Sequence, residues 1–326
     1  ILNKPDLRKA RKRLTKEIET IIYEENPKYK DLGKGKTYHI LTYGCQGNEA
    51  DSEVLAGIFE QLGYTYNEDA STSDVVLLNT CAIRENAENR IWGVLGNLKE
   101  PKRNNKDMII GICGCMPQEE HVVDRLLEKY REIDLVFGTH NIYRLPDFLY
   151  EISTKRGRVV EVLSFEGSIV ENLPKIRANK HKAWINIMYG CDEFCTYCIV
   201  PYTRGKERSR HKDDIISEVK CLVKQGYKEI TLLGQNVNSY GKTLENPISF
   251  AKLLTMIEEI EGLIRLRISS IEITELNNEF LDVLKNSKIL VDHMHIPLQS
   301  GSNKILKLMN RKYNKEYFIE IIDKIR

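Results

Sequence analysis

The chain has 326 residues, eight cysteines and a formal net charge of +2. This length suggests about two domains, and the near-neutral charge means that any nucleic-acid contact must come from a local basic surface. No apolar run approaches the ~20 residues that span a membrane, and the charged N-terminus is unlike a signal peptide. We therefore expect a cytoplasmic protein without membrane association.

Residues 1–36 are predicted to be a charged leader. The chain begins at Ile1 rather than Met, so we expect its natural start to be absent. Two interpretations of the leader stay open: a solvated, partly helical segment, or a basic arm that contacts RNA phosphates. The basic residues concerned are Lys9, Arg11, Lys12, Arg13 and Lys16.

Strand and helix patterns alternate from residue 37 to residue 152. Such alternation predicts a doubly wound parallel sheet with right-handed crossovers. The expected strands are 38–43, 74–79, 108–113 and 134–137, and the expected helices are 52–62, 85–98, 118–130 and 142–152. We assign residues 37–152 to the first domain and the polar segment 153–182 to a linker.

Three cysteines follow the first three predicted strands: Cys45, Cys81 and Cys115. Loops after successive parallel strands open on one edge of the sheet, where open α/β sheets bind ligands. We therefore predict a three-cysteine iron–sulfur cluster with one open iron. Buried strand-end cysteines are the alternative. Cys113 is a second candidate for the third ligand, and we favour Cys115 because it lies in the loop.

A second group of cysteines has the spacing C-x3-C-x2-C and follows the apolar run 183–189: Cys191, Cys195 and Cys198. Three thiolates this close hold three irons of a [4Fe–4S] cluster and leave the fourth iron open. A zinc site would need a fourth ligand, which is not obvious nearby. A disulfide would leave one thiol over and suits a secreted chain.

Residues 183–326 again read as β-α units, four or five of them. The expected strands are 229–233, 264–268 and 293–297, and the expected helices are 213–225, 250–260, 276–284 and 315–326. The loop that begins Gly234-Gln235-Asn236 follows a strand and should face a barrel mouth, where ligands bind. We assign no role to His293 or His295.

A basic stretch follows the second cysteine group and contains Arg204, Arg208 and Arg210. It is either a solvated loop or a segment that contacts substrate phosphates. Its position directly after the cysteine loop favours substrate contact.

The C-x3-C-x2-C loop, with Tyr197 before the third cysteine, resembles the signature of the radical S-adenosylmethionine superfamily. The resemblance implies that the open iron binds S-adenosylmethionine. One electron then cleaves the sulfonium and yields a 5′-deoxyadenosyl radical. It also implies that Tyr197, Gly234, Gln235 and Asn236 contact this cofactor.

Three further stretches resemble the motifs of the methylthiotransferase family: 42–46 with 51–53, 79–87, and 114–118. Gly47 departs from the family, which usually has methionine there. The family's order implies that the first domain precedes a radical S-adenosylmethionine β/α barrel, followed by a small RNA-binding β-barrel. We expect the barrel at 183–326 to be truncated and the β-barrel to be missing.

The family resemblance implies two [4Fe–4S] clusters and S-adenosylmethionine as cofactors. The string after the cysteine loop resembles the subgroup that methylthiolates C2 of N6-isopentenyl (dimethylallyl) adenosine at position 37 of tRNA. An electron donor such as a flavodoxin is implied as a partner. The alternatives are the same chemistry on threonylcarbamoyl-adenosine of tRNA or on a ribosomal-protein aspartate. A non-catalytic RNA-binding or iron-storing protein and a structural zinc protein are rivals of other classes.

Overall fold

The computed structural model describes residues 2–6, 18–82, 85–164 and 168–326, with the backbone only at 2 and 85–88. The chain divides into two compact units, Ile1–Ala178 with Tyr202–Gly205 and Asn179–Pro201 with Lys206–Arg326. The predicted basic run at 9–16 and two residues of the second motif, 83–84, lie outside the described residues. Within the described part of the chain, no helix is long and apolar enough to cross a membrane.

The described residues of the first unit form short and long strands that alternate with helices. The strands are β1 (Leu2–Asn3), β2 (Thr20–Ile22), β3 (Thr37–Tyr43), β4 (Thr65–Tyr66), β5 (Val75–Thr80), β6 (Ile109–Gly114), β7 (Leu135–Phe137), β8 (Val159–Glu161) and β9 (Ile169–Glu171). The α-helices are α1 (Gln46–Gln61), α2 (Glu85–Asn97), α3 (Lys99–Asn104), α4 (Glu120–Lys129) and α5 (Leu145–Lys155).

Seven of these strands form one sheet in the order β1-β8-β7-β6-β5-β3-β4. Every neighbouring pair is parallel, which confirms the predicted parallel α/β architecture. Strands β2 and β9 form a separate parallel pair. The segments predicted as leader and linker thus supply strands: β1 and β8 in the main sheet, and both strands of the small pair.

Helices cover both faces of the sheet. Helices α1 and α5 pack into one apolar core with Val75 and Leu77 of β5. Helices α2 and α4 pack into a second core with Val76 and Leu78. Successive side chains of a strand point to opposite faces, so the alternation along β5 feeds both cores. This is the doubly wound arrangement expected from the sequence.

Helix α1 begins at Gln46, six residues before the helix expected at 52–62. The apolar periodicity that marks a helix in sequence starts only later. The first turns bury polar side chains instead, among them Asn48 and Asp51. Hydrophobic patterning therefore missed this part of the helix, because its buried face is held by polar contacts rather than by apolar packing.

The remaining elements begin at residue 182. The strands are β10 (Lys182–Asn186), β11 (Met188–Tyr189), β12 (Arg208–Ser209), β13 (Glu229–Leu233) and β14 (Arg265–Ile268). The helices are α6 (Val200–Thr203), α7 (Lys212–Lys224), α8 (Phe250–Glu258), α9 (Asn278–Asn286), α10 (Asn303–Leu308) and α11 (Lys315–Ile325).

In the second unit, strands β10, β13 and β14 form a parallel sheet in that order. Side chains of α7, α8 and α9 share one apolar core with this sheet. The strand expected at 293–297 is wrong: within 179–326, this segment pairs with no strand, and Leu290 forms a single parallel bridge with Leu266. The exposed His293 and His295 alternate with the half-buried Met294 and Ile296, so the two-residue pattern is real, but no neighbouring strand within 179–326 pairs with it.

Candidate metal centres

The sheet of the first unit brings the backbones of Cys45, Cys81 and Cys115 to one edge. These residues follow β3, β5 and β6, which are direct neighbours in the sheet. The last residues of the three strands are in register, with Tyr43 opposite Thr80 and Thr80 opposite Gly114. Three residues far apart in sequence therefore leave the sheet at the same level.

Cys45 is positioned by a network of buried side-chain amides. Its backbone N–H donates to Asn48 Oδ1 at 3.2 Å, and its Sγ lies 3.6 Å from the same oxygen. Asn48 Nδ2 donates to Asn79 Oδ1 at 2.9 Å, and Asn79 Nδ2 donates to Ser52 Oγ at 2.9 Å. Both asparagines are fully buried, so the network fixes the start of α1 against the end of β5.

Cys115 is fixed by backbone packing at the end of β6. Its N–H donates to the Thr80 carbonyl at 2.8 Å. The preceding Gly114 has a φ of +96°, and a Cβ placed on it would lie 2.4 Å from the Thr80 carbonyl oxygen. Only glycine fits this position, because other residues avoid that backbone region and any side-chain carbon would meet the neighbouring strand.

We expect Gly114→Ala to lower the free energy of unfolding of the first unit by about 2–4 kcal/mol, from backbone strain and forced packing. Urea titration of the metal-free chain would measure this, with the fluorescence of Trp92 as the reporter after Trp184→Phe. Gly35→Ala is the control, because Gly35 has a φ of +73° but nothing within 4 Å of its would-be Cβ. An equal loss in both variants would show that close packing at Gly114 contributes nothing.

A buried ion pair lies against this cysteine group. Arg204 Nε donates to Cys115 Sγ at 3.2 Å, and Arg204 Nη2 donates to Asp51 Oδ2 at 2.7 Å. Burial alone would lower the pKa of Arg204, but the Asp51 carboxylate raises it above its usual range, so the guanidinium stays charged. The sequence predicted a substrate contact for Arg204; the structure places its side chain within the first unit, beside a candidate metal ligand.

Gly47 lies next to the same group. A Cβ on Gly47 would stand 3.5 Å from Cys45 Sγ and 3.9 Å from Arg204 Nη2. Gly47 therefore lies directly beside a candidate ligand. It leaves more open space there than the methionine that the family usually has.

The three thiols differ in exposure and share the chemistry of iron–sulfur ligands. Cys81 and Cys115 are buried, whereas Cys45 is exposed. Burial raises the pKa of Cys115 to about 11, so at neutral pH its thiol is protonated unless a bound metal supplies positive charge. Cys113 packs in the apolar core that contains α1 and α5, which favours Cys115 as the ligand.

Among the described residues, no group of three or more His, Cys, Asp or Glu side chains converges closely enough to hold one metal ion. The thiolates of a [4Fe–4S] cluster bind three different irons and stand further apart than the ligands of one ion. Soft thiolate donors of this kind select iron–sulfur clusters, zinc or copper.

In the second unit, Cys191, Cys195 and Cys198 share one tight loop. The Gly190 N–H donates to Gln235 Oε1 at 2.6 Å, so the predicted cofactor residue Gln235 holds the start of this loop. The Cys198 N–H donates to the Cys195 carbonyl at 3.0 Å. Burial raises the pKa of Cys191 to about 12 and also raises the pKa of Cys198.

The segment 308–311 braces the same loop, although nothing in the sequence pointed to it. Thr196 Oγ1 donates to the Leu308 carbonyl at 3.0 Å, and Asn310 Nδ2 donates to the Phe194 carbonyl at 2.9 Å. Arg311 Nη1 donates to Cys195 Sγ at 3.1 Å, and Arg311 also pairs with Glu272. The three contacts to the cysteine loop bridge more than a hundred positions, so no local spacing could have revealed them.

Asn236, a predicted cofactor residue, forms a polar pair with Glu207. Asn236 Nδ2 donates to Glu207 Oε1 at 3.2 Å, and the Asp192 N–H donates to the same oxygen at 3.4 Å. Burial raises the pKa of Glu207. Asn236 Oδ1 is buried and accepts no hydrogen bond from the described residues. This oxygen is an acceptor suited to a ligand N–H, and sequence reasoning did not identify Glu207.

The remaining predicted ligand residues have varied surroundings. A Cβ on Gly234 would lie 2.6 Å from Met188 Cγ, so glycine permits close packing there. Tyr197 is 54% exposed. Arg208 donates to the Lys206 carbonyl, and Arg210 donates to the Asn186 carbonyl and to Glu218. Both arginines are buried, and their substrate contacts stay predictions.

Comparisons with known proteins match both units. Residues 37–138 match the family described as "Uncharacterized protein family UPF0004", and residues 185–326 match the radical SAM superfamily. A solved structure, the radical S-adenosylmethionine methyltransferase TsrM from Kitasatospora setae, aligns with a TM-score of 0.59 at 14% identity, covering 89% of this chain and 65% of that one. The second unit therefore carries a radical S-adenosylmethionine domain.

Two curated relatives are similar along almost the whole chain. Both are named tRNA-2-methylthio-N(6)-dimethylallyladenosine synthase: one from Bacillus subtilis, 52% identical over 327 residues, and one from Staphylococcus saprophyticus, 50% identical over 324 residues. Each alignment covers 99% of this chain, but only 64% and 63% of the respective relative. The chain belongs to the methylthiotransferase family of radical S-adenosylmethionine enzymes, and it spans less than two thirds of the length of these relatives.

Proposed function

We propose that the protein to which this chain belongs methylthiolates C2 of N6-isopentenyl (dimethylallyl) adenosine at position 37 of tRNA. The observation that carries the proposal is the pair of three-cysteine groups, one at the edge of the doubly wound sheet and one in the C-x3-C-x2-C loop. The names of the relatives support the substrate, at about half identity along the chain.

The side chains fit two [4Fe–4S] clusters and S-adenosylmethionine. Cys45, Cys81 and Cys115 would hold the auxiliary cluster, and Cys191, Cys195 and Cys198 the radical-generating one. Tyr197, Gly234, Gln235 and Asn236 would contact S-adenosylmethionine. When bound, these groups supply the sulfur, the methyl group and the radical that abstracts a hydrogen atom. Abstraction by a radical is needed because the C2–H bond has no acidic proton for a general base to remove.

The chain's own residues hold and orient these groups. Gln235 keeps the second cysteine loop closed through Gly190, and Asn310 holds the loop through Phe194. Asn236 Oδ1 offers an unsatisfied acceptor, which fits the amino group of S-adenosylmethionine. A buried acceptor left without a donor costs about 1–3 kcal/mol, so a ligand amine there gains a matching partner.

We propose tRNA as the macromolecular partner, with a flavodoxin-type protein as electron donor. A tRNA substrate places the reaction in the cytoplasm. The base at position 37 must leave the anticodon-loop stack to reach the site, which costs less in a single-stranded loop than in a duplex. Arg208 and Arg210 stay our predicted substrate contacts. The same chemistry on threonylcarbamoyl-adenosine or on a ribosomal-protein aspartate is the alternative.

Mass spectrometry of tRNA nucleosides from cells lacking the gene tests the proposal. We expect the methylthio-isopentenyl nucleoside to disappear and isopentenyl-adenosine to accumulate. The intact gene should restore the methylthio nucleoside, and the same gene carrying Cys195→Ala should not. Loss of a methylthio group from threonylcarbamoyl-adenosine, or an unchanged tRNA profile with an altered ribosomal protein, would contradict the assigned substrate.

A further inference from the structure

Each candidate metal centre has a buried arginine that donates to one cysteine sulfur and is held by a carboxylate. In the first unit, Arg204 donates to Cys115 Sγ and pairs with Asp51. In the second unit, Arg311 donates to Cys195 Sγ and pairs with Glu272. The two arginine side chains are 8% and 7% exposed. Cys115 is buried and Cys195 is half-buried, so water screens the first contact little and the second contact more.

Hydrogen bonds to cluster sulfurs are among the features that set the reduction potential of an iron–sulfur cluster. Reduction adds one negative charge to the cluster and its thiolates. A buried guanidinium about 3 Å from a ligand sulfur stabilises that added charge more than it stabilises the oxidised state. The carboxylate on the other side of the guanidinium has the opposite electrostatic effect, and it also holds the donor in place.

We propose that Arg311 and Arg204 raise the reduction potentials of the clusters held by the second and first cysteine groups. The inference rests on the proposed function, which supplies the clusters. Both arginines act through a ligand sulfur and are therefore positioning residues. The electron comes from an external one-electron reductant, and the cluster is reduced by one electron without making or breaking a covalent bond.

A purely structural role for these pairs is the competing explanation. A comparable arginine–carboxylate pair in the first unit joins Arg177 to Glu53 at 2.8 Å. A structural pair would lower stability or iron content when it is broken. It would not move the potential in opposite directions when its two members are neutralised in turn, and this difference in sign makes the proposal testable.

The experiment uses the full chain with Cys45, Cys81 and Cys115 replaced by alanine, so that one cluster remains. Arg311→Gln and Glu272→Gln are reconstituted anaerobically and titrated with titanium(III) citrate while electron paramagnetic resonance follows the reduced cluster. For Arg311→Gln we expect about a tenfold lower equilibrium constant of reduction, a shift of ~59 mV to more negative potential for one electron. For Glu272→Gln we expect a shift to more positive potential.

Arg267→Gln is the matched control, because Arg267 also pairs with a carboxylate, Glu229, but is 39% exposed. The reduction potential of the remaining cluster should not change in this variant. If Arg311→Gln binds no iron, Glu272→Gln carries the test alone, since it keeps the sulfur donor. A zero or negative shift in Glu272→Gln, or loss of iron from both variants, would overturn the inference. A parent chain that binds no iron at this site would instead overturn the proposed function.

Discussion

Replacing Cys191, Cys195 and Cys198 together with alanine should lower the iron content of the anaerobically reconstituted chain from about eight to about four atoms. The two cysteine groups are built by different parts of the chain: one by three strand ends, the other by a single loop. Each should therefore load without the other. Iron and acid-labile sulfide analysis with an absorption spectrum measures the effect, and sulfide should fall in parallel with iron.

The reciprocal replacement of Cys45, Cys81 and Cys115 should also leave about four irons. Cys221→Ala is the control for thiol loss, because Cys221 is exposed and belongs to neither group. A chain with about four irons that falls to none in the first triple variant would mean that the strand-end cysteines are structural. The methylthiotransferase proposal would then reduce to a radical enzyme of unknown substrate.

Single variants at positions 113 and 115 distinguish the two candidates for the third auxiliary ligand. We expect Cys115→Ala to lose the auxiliary cluster and Cys113→Ala to keep it. Cys113 is fully buried in an apolar core, so its replacement should affect stability more than iron content.

Arg204→Met should lower the free energy of unfolding of the metal-free first unit by about 3–5 kcal/mol, the cost of leaving a buried charge without its partner. Asp51 would then be a carboxylate with 9% side-chain exposure and no guanidinium beside it. Urea unfolding followed by Trp92 fluorescence, in a chain with Trp184→Phe, measures the loss. The double variant Arg204→Met/Asp51→Leu should recover most of it, because it removes both charges.

Arg177→Met is the matched control for this experiment. Arg177 pairs with Glu53 at 2.8 Å, with side-chain exposures of 9% and 4%, so a similar loss of stability is expected. The two variants should differ after reconstitution, since Arg204 donates to Cys115 Sγ, a candidate ligand sulfur. Equal iron contents and equal auxiliary-cluster potentials in both would show that Arg204 has only a structural role. A double variant no more stable than Arg204→Met would contradict the buried-charge explanation.

Much of the architecture was predictable because hydrophobic patterning is a local property. Residues 75–78 of the strand predicted at 74–79 are all apolar, and the structure buries β5 on both faces. The strand at 229–233 was predicted at its observed bounds. The error at 293–297 arose because strand pairing is not a local property. Alternation along a segment indicates which side chains are buried, but it does not indicate whether a neighbouring strand pairs with the segment.

The polar contacts inside the two units could not be predicted from the sequence. Asp51 lies in the first of the family-like motifs, at 51–53, but its partner Arg204 was expected to contact substrate. Arg311 and Glu272 carried no recognisable pattern. Each of these side chains is buried only because a distant partner satisfies its charge, and partners that far apart leave no periodicity in the sequence.

The sequence by itself determined the alternation of strands and helices, the six candidate cysteines and the resemblance to a family. Spacing and periodicity are properties of short stretches of sequence, so they can be read without the fold. Only the tertiary structure decided that β3, β5 and β6 end in register, and that a carboxylate-held arginine contacts a sulfur in each unit. These features depend on contacts between segments that folding brings together, whose energy comes from burial and charge pairing rather than from local conformational preference.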